Sequence, residues 1–410
     1  MFKIQQKHQM LLLTMFCYLF FYTGRHNFGW ASKPLSEDLG LSYEFIGWIS
    51  FSMLLGYSLG QLINGALADR LNPKYMVPIG AYLSIACNVG ISFSHSGMLI
   101  LVLWFLNGMF QSMAWAPGGK IITHWFAAGE RTKAFGMYTM AAGFSSAVTF
   151  LLSIYLTSLE LEWRMLFRLP VLCLFISATV FLIFIKPSPN KLNNTTKKKV
   201  DLKAMKASYI ATFKDSKFIQ LCLSFGLESM ARYGLIFWVP VHYLGQDWKA
   251  NPSFIWITLF LPLGMAVGAF TFGQLGASLF KNNYTSIVFG MLSSFILSMS
   301  IFFYGGSNMV IIGALLLLGG FFVYGPQTNF WSLCPEIRGA EATGTAIGVM
   351  NMFGYLCAAL IEPILGKVID ATGNTSILFI IISFICLLSA LNVLFLKFRI
   401  SKSKIVPLYQ

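Results

Sequence analysis

The sequence predicts an all-α membrane protein with about twelve transmembrane helices in two six-helix halves. Apolar residues make up 56% of its 410 residues and charged residues only 11%, whereas a water-soluble domain carries about 25% charged residues. The apolar runs are long and continuous, as in 174–185 and 311–323, which excludes alternating barrel strands. Several short motifs of the first half also recur in the second.

The number of spans follows from about 20 apolar residues per membrane-crossing helix. The first apolar run is longer than a secretory signal region of about 7–15 residues and continues to Arg25, so we assign it as a span. We place the spans at 10–30, 46–66, 76–94, 98–120, 134–157, 164–185, 216–243, 253–279, 284–304, 308–330, 342–369 and 375–396. The halves then cover residues 1–186 and 216–410, and the polar segment 187–215 is a linker.

The net charge of +14 reflects where the basic residues lie rather than a nucleic-acid partner. They concentrate at both termini and in the linker, and these three regions lie on the same side of the predicted spans. The positive-inside rule therefore places both termini in the cytoplasm. We expect a multi-pass protein of the cell inner membrane.

Metal and enzyme chemistry have no support in the motifs. The seven cysteines are scattered without metal-ligand spacing. No Walker loop, HExxH motif or nucleophile elbow occurs. We therefore expect no bound metal, no cofactor and no enzymatic activity.

The two halves repeat each other at a nearly constant offset. Arg25 recurs as Arg232 after 207 residues, and Pro117 recurs as Pro326 after 209 residues. Further matches in the same order indicate an internal duplication. Because each half has an even number of spans, both begin on the same side, and the repeats are parallel, as in the major facilitator fold.

The loop after the second predicted span reads Gly-x-Leu-x-Asp69-Arg70, which resembles the loop signature of the major facilitator superfamily. Asp69 and Arg70, together with Arg131, are candidates for a cytoplasmic gate that joins neighbouring helix ends. In the second half Ala277 and Ser278 replace the acid and the base, so the gate is expected on one half only.

Charged residues inside the predicted spans are candidates for solute binding. A charge at the bilayer centre costs at least about 2.5–3.5 kcal/mol and therefore faces the protein interior. Arg25 and Arg232 occupy equivalent spans, and two guanidinium groups at one site suit a phosphate or a carboxylate. Lys120, near the end of its span, is more simply explained by a side chain that reaches the interface.

Two acidic residues are candidates for proton coupling. Glu228 precedes Arg232 by four residues on one helix face, where the two can pair. Protonation of Glu228 would release Arg232, although a permanent structural pair is equally compatible with the spacing. Glu362, followed by Pro363, is a second buried acid with the same two interpretations.

At these residues the chain resembles the organophosphate:phosphate antiporter family, which includes the glycerol-phosphate and hexose-phosphate transporters. The motifs that carry the resemblance are Tyr22-x-x-Arg-x-Asn27, Gly108-Met-Phe-Gln-x-Met-x-Trp-x-Pro117, Arg232-Tyr-Gly-x-x-x-Trp-x-Pro240, Tyr324-Gly-Pro326 and Phe353-Gly-Tyr-Leu356. The resemblance implies one central site and alternating access. The predicted solute-binding residues are Arg25, Arg232, Tyr18, Tyr22, Asn27, Tyr57, Gln61, Trp115 and Tyr355.

Three departures from that family affect the predicted solute. Gln61 aligns with a pocket lysine, Ala142 aligns with a pocket histidine, and Glu228 adds an acid. The lower positive charge favours proton-coupled import of an amino acid or a similar carboxylate nutrient as the first hypothesis. An organophosphate:phosphate antiporter is the alternative, and a transporter-like membrane sensor is the third. The expected partners are a small solute, the lipid bilayer and either protons or phosphate as the coupling ion, and the protein is expected to be a monomer.

Overall fold

A computed structural model of the chain describes residues 6–126, 128–186, 209–245, 253–280, 282–304, 308–338 and 343–405. Throughout these ranges the regular structure is helical, and no strand occurs in them. The predicted all-α fold class is confirmed. Nine helices within the described ranges are long and apolar enough to cross a membrane by length and composition.

Before the linker, the described residues contain nine α-helices, separated by short turns. In chain order they are α1 (Gln6–Phe21), α2 (Phe28–Leu39), α3 (Tyr43–Arg70), α4 (Pro73–Ser92), α5 (Gly97–Gln111), α6 (Trp115–Trp125), α7 (Ala128–Ser158), α8 (Met165–Arg168) and α9 (Pro170–Phe184). After the linker, the described residues include the helices α10 (Ser216–Leu244), α11 (Ser253–Trp256), α12 (Phe260–Phe280), α13 (Asn283–Phe303), α14 (Met309–Tyr324), α15 (Gln327–Arg338), α16 (Thr343–Thr372) and α17 (Ile377–Ile405).

Polar residues cap the N-termini of several of these helices. The side chains of Ser42, Asn72 and Ser96 accept hydrogen bonds from backbone N–H groups in the first turns of α3, α4 and α5. Such caps satisfy donors that have no partner within the helix. At the end of α2, Gly40 has φ +62°, and this left-handed residue lets the chain turn after two residues into α3.

The described residues cluster into two compact units. The first comprises the described parts of Met1–Lys197, Pro240–Leu259 and Glu362–Ala371. The second comprises the described parts of Lys198–Val239, Phe260–Ile361 and Thr372–Gln410.

Glycines allow close helix packing inside each unit. In the first, Gly56 of α3 faces the backbone of Phe105, and Gly108 of α5 faces the backbone of Met53. In the second, Gly264 of α12 faces the backbone of Leu317 in α14 in the same way. A Cβ atom at these positions would overlap main-chain atoms of the neighbouring helix. The small residues therefore permit the backbone contact that is typical of membrane helix pairs.

The start of α3 is held by the later part of α16 within the first unit. The Asp370 carboxylate accepts hydrogen bonds from the backbone N–H groups of Tyr43 at 2.9 Å and Glu44 at 2.7 Å. Gly47 and Gly366 let the two helix backbones approach, since a Cβ at either one would overlap the other helix. This acid at a helix N-terminus is also favourable for the helix dipole.

The helix of the first predicted span, 10–30, is broken. Helix α1 ends at Phe21, a 3-10 turn covers Tyr22–Gly24, and α2 starts only at Phe28 and continues to Leu39. The fourth predicted span also has a break, between α5 and α6. The physical reason for the first break lies in side chains of other helices.

Candidate functional site

Arg25 lies in the break between α1 and α2, and amide side chains from α4 and α5 stabilise that break. Its backbone has φ −135° and ψ −54°, which is not helical. The Gly24 carbonyl accepts hydrogen bonds from Asn107 Nδ2 at 2.8 Å and from Asn88 Nδ2 at 3.1 Å. Gln111 Nε2 donates to the Phe21 carbonyl at 2.8 Å. A broken helix leaves carbonyl groups without helical partners, and these buried amides supply the missing donors.

Asn27 belongs to the same hydrogen-bond network. Its Nδ2 donates to Asn88 Oδ1 at 3.1 Å and to the Leu166 carbonyl at 2.9 Å. The side chain is fully buried. These contacts anchor the start of α2 to α8, and solute binding by Asn27 stays a prediction. Sequence reasoning did not select Asn88 and Asn107, although an asparagine inside an apolar span is itself a signal of a special role.

Two tyrosine rings hold the Arg25 guanidinium. Its Cζ atom lies 4.2 Å from the Tyr57 ring centroid and 5.2 Å from the Tyr22 ring centroid. The side chain is only 5% exposed. Each such contact contributes on the order of 0.5–2 kcal/mol. The N–H groups of a guanidinium point outward along its plane, where they can bind the oxygens of an anion.

An aromatic cluster adjoins this arginine. The Trp115 and Tyr138 rings stack with centroids 4.8 Å apart and an interplanar angle of 13°. Tyr18 lies 5.3 Å from Trp115 and 5.8 Å from Tyr22, centroid to centroid. The structure thus brings together the predicted residues Tyr18, Tyr22 and Trp115. Tyr138, which was not among the predicted site residues, completes the cluster, and Gly118 leaves room for its ring.

Gln61 lies one helical turn after Tyr57 on α3. Its Nε2 atom is buried and has no hydrogen-bond partner among the described residues. A buried donor without a partner is rare in native proteins and needs an explanation. A bound solute oxygen would supply the missing acceptor.

The second arginine site, in the second unit, is built on a regular helix. Arg232 lies inside α10, and its Cζ is 4.5 Å from the Tyr233 ring centroid and 4.9 Å from the Tyr324 ring centroid. Tyr355, a predicted site residue, contacts Tyr233 with ring centroids 5.7 Å apart. Tyr233 and Tyr324 belong to the sequence motifs that contain Arg232 and Pro326, but neither tyrosine was predicted to contact Arg232.

The predicted pair of Glu228 and Arg232 is present. Arg232 Nε lies 3.8 Å from Glu228 Oε1, and Ser229 Oγ donates to Glu228 Oε2 at 3.2 Å. The Glu228 side chain is completely buried, and its Oε1 accepts no hydrogen bond within the described residues. The two charges therefore balance each other by proximity, while the carboxylate keeps one oxygen available as an acceptor.

The remaining predicted residues divide into three cases. Glu362 is buried in the first unit, at the place where Gly47 meets the backbone of α16. The side chains of Asp69, Arg70 and Arg131 lie outside the described residues, so the cytoplasmic gate stays a prediction. Lys120 Nζ donates to the carbonyls of Ala68 at 2.7 Å and Leu71 at 3.1 Å, and it thereby caps the end of α3.

A sequence profile described as the Major Facilitator Superfamily matches residues 14–362. The chain belongs to this superfamily. The resemblance predicted from the sequence motifs is thus confirmed, and with it a multi-pass membrane transport protein that is not an enzyme. A solved superfamily structure, a bacterial homolog of the human lysosomal transporter Spinster, has a TM-score of 0.71 and 13% identity, with 96% of each chain covered. That likeness shows the fold alone.

Curated relatives within the superfamily match over most of the chain. The glycerol-3-phosphate transporter of Bacillus subtilis is 23% identical over 90% of this chain and 88% of its own length. A probable hexose phosphate transport protein of Chlamydia pneumoniae is 24% identical over 87% and 84%. The membrane sensor protein UhpC of Escherichia coli is 27% identical over 94% and 91%. These relatives support the organophosphate alternative rather than the amino-acid import that was the first hypothesis.

Proposed function

We propose that this superfamily member carries a phosphorylated organic anion across the membrane, in exchange for inorganic phosphate. The observation that carries the proposal is the buried guanidinium of Arg25, which contacts the rings of Tyr57 and Tyr22. A guanidinium presents parallel N–H donors that match two phosphate oxygens, and a buried cation is retained only where it has such a use.

The solute class follows from the relatives together with the site chemistry. Names of relatives include glycerol-3-phosphate, hexose phosphate and phosphoglycerate carriers. These solutes share a phosphate monoester next to hydroxyl groups. In the first unit Arg25 would bind the phosphate, and the Gln61 amide, whose Nε2 has no partner among the described residues, would donate to an ester or hydroxyl oxygen. The aromatic cluster of Tyr18, Tyr22 and Trp115 would pack against the carbon skeleton.

A transporter-like sensor is the second candidate. Sensor proteins of Escherichia coli and Salmonella typhimurium are among the relatives, at 27% and 24% identity. Glu228 also supports it, because a carboxylate 3.8 Å from Arg232 offsets part of that positive charge. A sensor needs to bind its solute without accumulating it.

Purified protein in liposomes separates the candidates. Liposomes loaded with inorganic phosphate are diluted into labelled glycerol 3-phosphate, glucose 6-phosphate, phosphate or an amino acid, and uptake is followed. The proposal predicts uptake of a phosphorylated solute that depends on internal phosphate. Binding of that solute without uptake would favour the sensor. Uptake of the amino acid alone would contradict the proposal.

A further inference from the structure

A basic cavity opens in the first unit, away from the Arg25 cluster. It has a volume of about 290 Å³ and lies between the turn from α3 to α4, the end of α6 and the end of α9. Its lining includes Lys74, Lys120, His124, Trp125 and Lys186. Three amines and an imidazole thus converge on one opening, and none of the described residues that line it is acidic.

The three lysines have different roles. Lys120 already donates to the two carbonyls that end α3, which fixes its ammonium group in the wall of the cavity. Lys74 and Lys186 form no ion pair within the described residues. Lys74 is half-buried and Lys186 is exposed. The cavity therefore carries positive charge that its own described neighbours do not neutralise, which suits an anion.

The adjoining surface of the same unit is apolar. Helices α4 and α9 pack side by side, with Tyr82 Oη 3.0 Å from Thr179 Oγ1. Along α4 the exposed side chains include Tyr75, Ile79 and Leu83, which are spaced by four residues and share one helix face. Along α9 they include Ile176, Ile183 and Phe184. In a membrane-spanning protein such a face contacts lipid chains.

We propose that this cavity binds the headgroup of an anionic phospholipid, whose acyl chains lie along the exposed faces of α4 and α9. Charge complementarity selects the phosphate, and continuity with the lipid-facing surface selects a lipid rather than a free ion. Trp125 in the wall suits this position, since tryptophan side chains concentrate at the membrane interface. Basic pockets between membrane helices are a general solution for anionic headgroups.

The test compares lipid retention by native mass spectrometry of the full-length protein. The protein is equilibrated with equal amounts of phosphatidylglycerol and phosphatidylcholine, and the lipids that stay bound are counted. The wild type is expected to retain phosphatidylglycerol preferentially. The double variant Lys74→Gln/Lys186→Gln should lower the affinity for phosphatidylglycerol about thirtyfold, because each lysine contributes on the order of 1 kcal/mol to binding.

A charge-matched control is available. Lys214 and Lys367 are also exposed and do not line the cavity, so Lys214→Gln/Lys367→Gln removes the same amount of charge from other residues and should retain phosphatidylglycerol like the wild type. The pair Lys74→Arg/Lys186→Arg should do so as well, which guards against a fold defect in the glutamine pair.

Three results would overturn the proposal. Equal retention of phosphatidylcholine would mean unspecific annular lipid. Full retention by Lys74→Gln/Lys186→Gln would mean that the cavity is not the site. Displacement of the lipid by inorganic phosphate would mean that the cavity is a site for a free anion. The readout does not involve transport, so the proposed function can fail or hold independently.

Discussion

Arg25 and Arg232 occupy corresponding positions in the two sequence repeats, but they are held in place by different structural features. Arg25 lies in a non-helical turn between α1 and α2, whose carbonyls bond to Asn88, Asn107 and Gln111. Arg232 lies within the uninterrupted helix α10. One cation is therefore positioned by amides from neighbouring helices, and the other is positioned by regular helical geometry.

The sequence just before the two arginines differs as well. The first acidic residue of the chain is Glu37, so no acid lies one helical turn before Arg25. Arg232, in contrast, has the Glu228 carboxylate 3.8 Å from its Nε atom. Both guanidinium groups contact two tyrosine rings. The repeats thus share the cation, while the tyrosines that contact it lie at different repeat positions, and the backbone support and the acid one turn earlier differ.

The largest expected effect concerns the balanced pair. Arg232→Gln leaves the fully buried Glu228 carboxylate without its cation, which should lower the free energy of unfolding by about 3–5 kcal/mol. The double variant Arg232→Gln/Glu228→Gln should recover most of this loss. Thermal unfolding in detergent measures both. A single variant as stable as the wild type would show that the pair is not electrostatically coupled.

The broken helix can be tested through one of its donors. Asn107→Ala removes the 2.8 Å hydrogen bond to the Gly24 carbonyl, and the loss of a buried partner should cost about 1–3 kcal/mol. Asn392→Ala is the matched control in the second unit. Its amide donates to the Gln220 carbonyl and to Ser224 Oγ, and neither group belongs to a helix break. The control should cost less, and an equal loss would remove the distinction between the two supports.

The helix break also marks the limit of what the sequence could predict. Hydropathy, the charge bias and the repeat are properties of contiguous sequence, so they predicted the all-α fold and the two arginines. The break at 22–27 depends on donors from Asn88 and Asn107, which lie more than 60 residues further along the chain. The cap of α3 by Lys120 has the same long-range origin, and local patterns carry no signal for either contact.

A smaller effect is expected on solute affinity. Glu228→Gln removes the negative charge beside Arg232, so the affinity for a phosphate ester should rise about tenfold, or ~1.4 kcal/mol. If Glu228 couples transport to protons, the variant should also lose most of its pH dependence yet still exchange solute. Titration calorimetry and exchange at several pH values measure this, with Glu228→Asp as the charge-keeping control. An unchanged affinity and pH profile would make Glu228 a structural residue only.

The smallest effect concerns the C-terminal end of α2, the second piece of the broken helix. Asp38 accepts hydrogen bonds from Trp163 Nε1 at 3.1 Å and from Arg164 at 2.9 Å, and these lower its pKa below the ordinary 3.8. Because the folded pKa is the lower one, the carboxylate stabilises the fold at neutral pH, and this contribution is lost as the pH falls through the folded pKa.

Asp38→Asn should therefore lower the melting temperature slightly at neutral pH, and the difference from the wild type should shrink in strong acid. Glu37→Gln is the neighbouring control, since Glu37 pairs with Lys33 of the same helix at 3.8 Å. Melting curves from neutral to acidic pH provide the measurement. A difference that stays constant with pH would show that Asp38 does not anchor α2 through its charge.

The claim that Arg25 binds the phosphate group is tested most directly by calorimetric titration of glycerol 3-phosphate into the wild type, Arg25→Lys and Arg25→Gln. Losing a bidentate, charge-assisted contact should weaken binding about 100-fold in Arg25→Gln, or ~2.7 kcal/mol. Arg25→Lys keeps the charge without the planar fork and should lose about tenfold. A folded Arg25→Gln variant that binds with wild-type affinity would contradict the account.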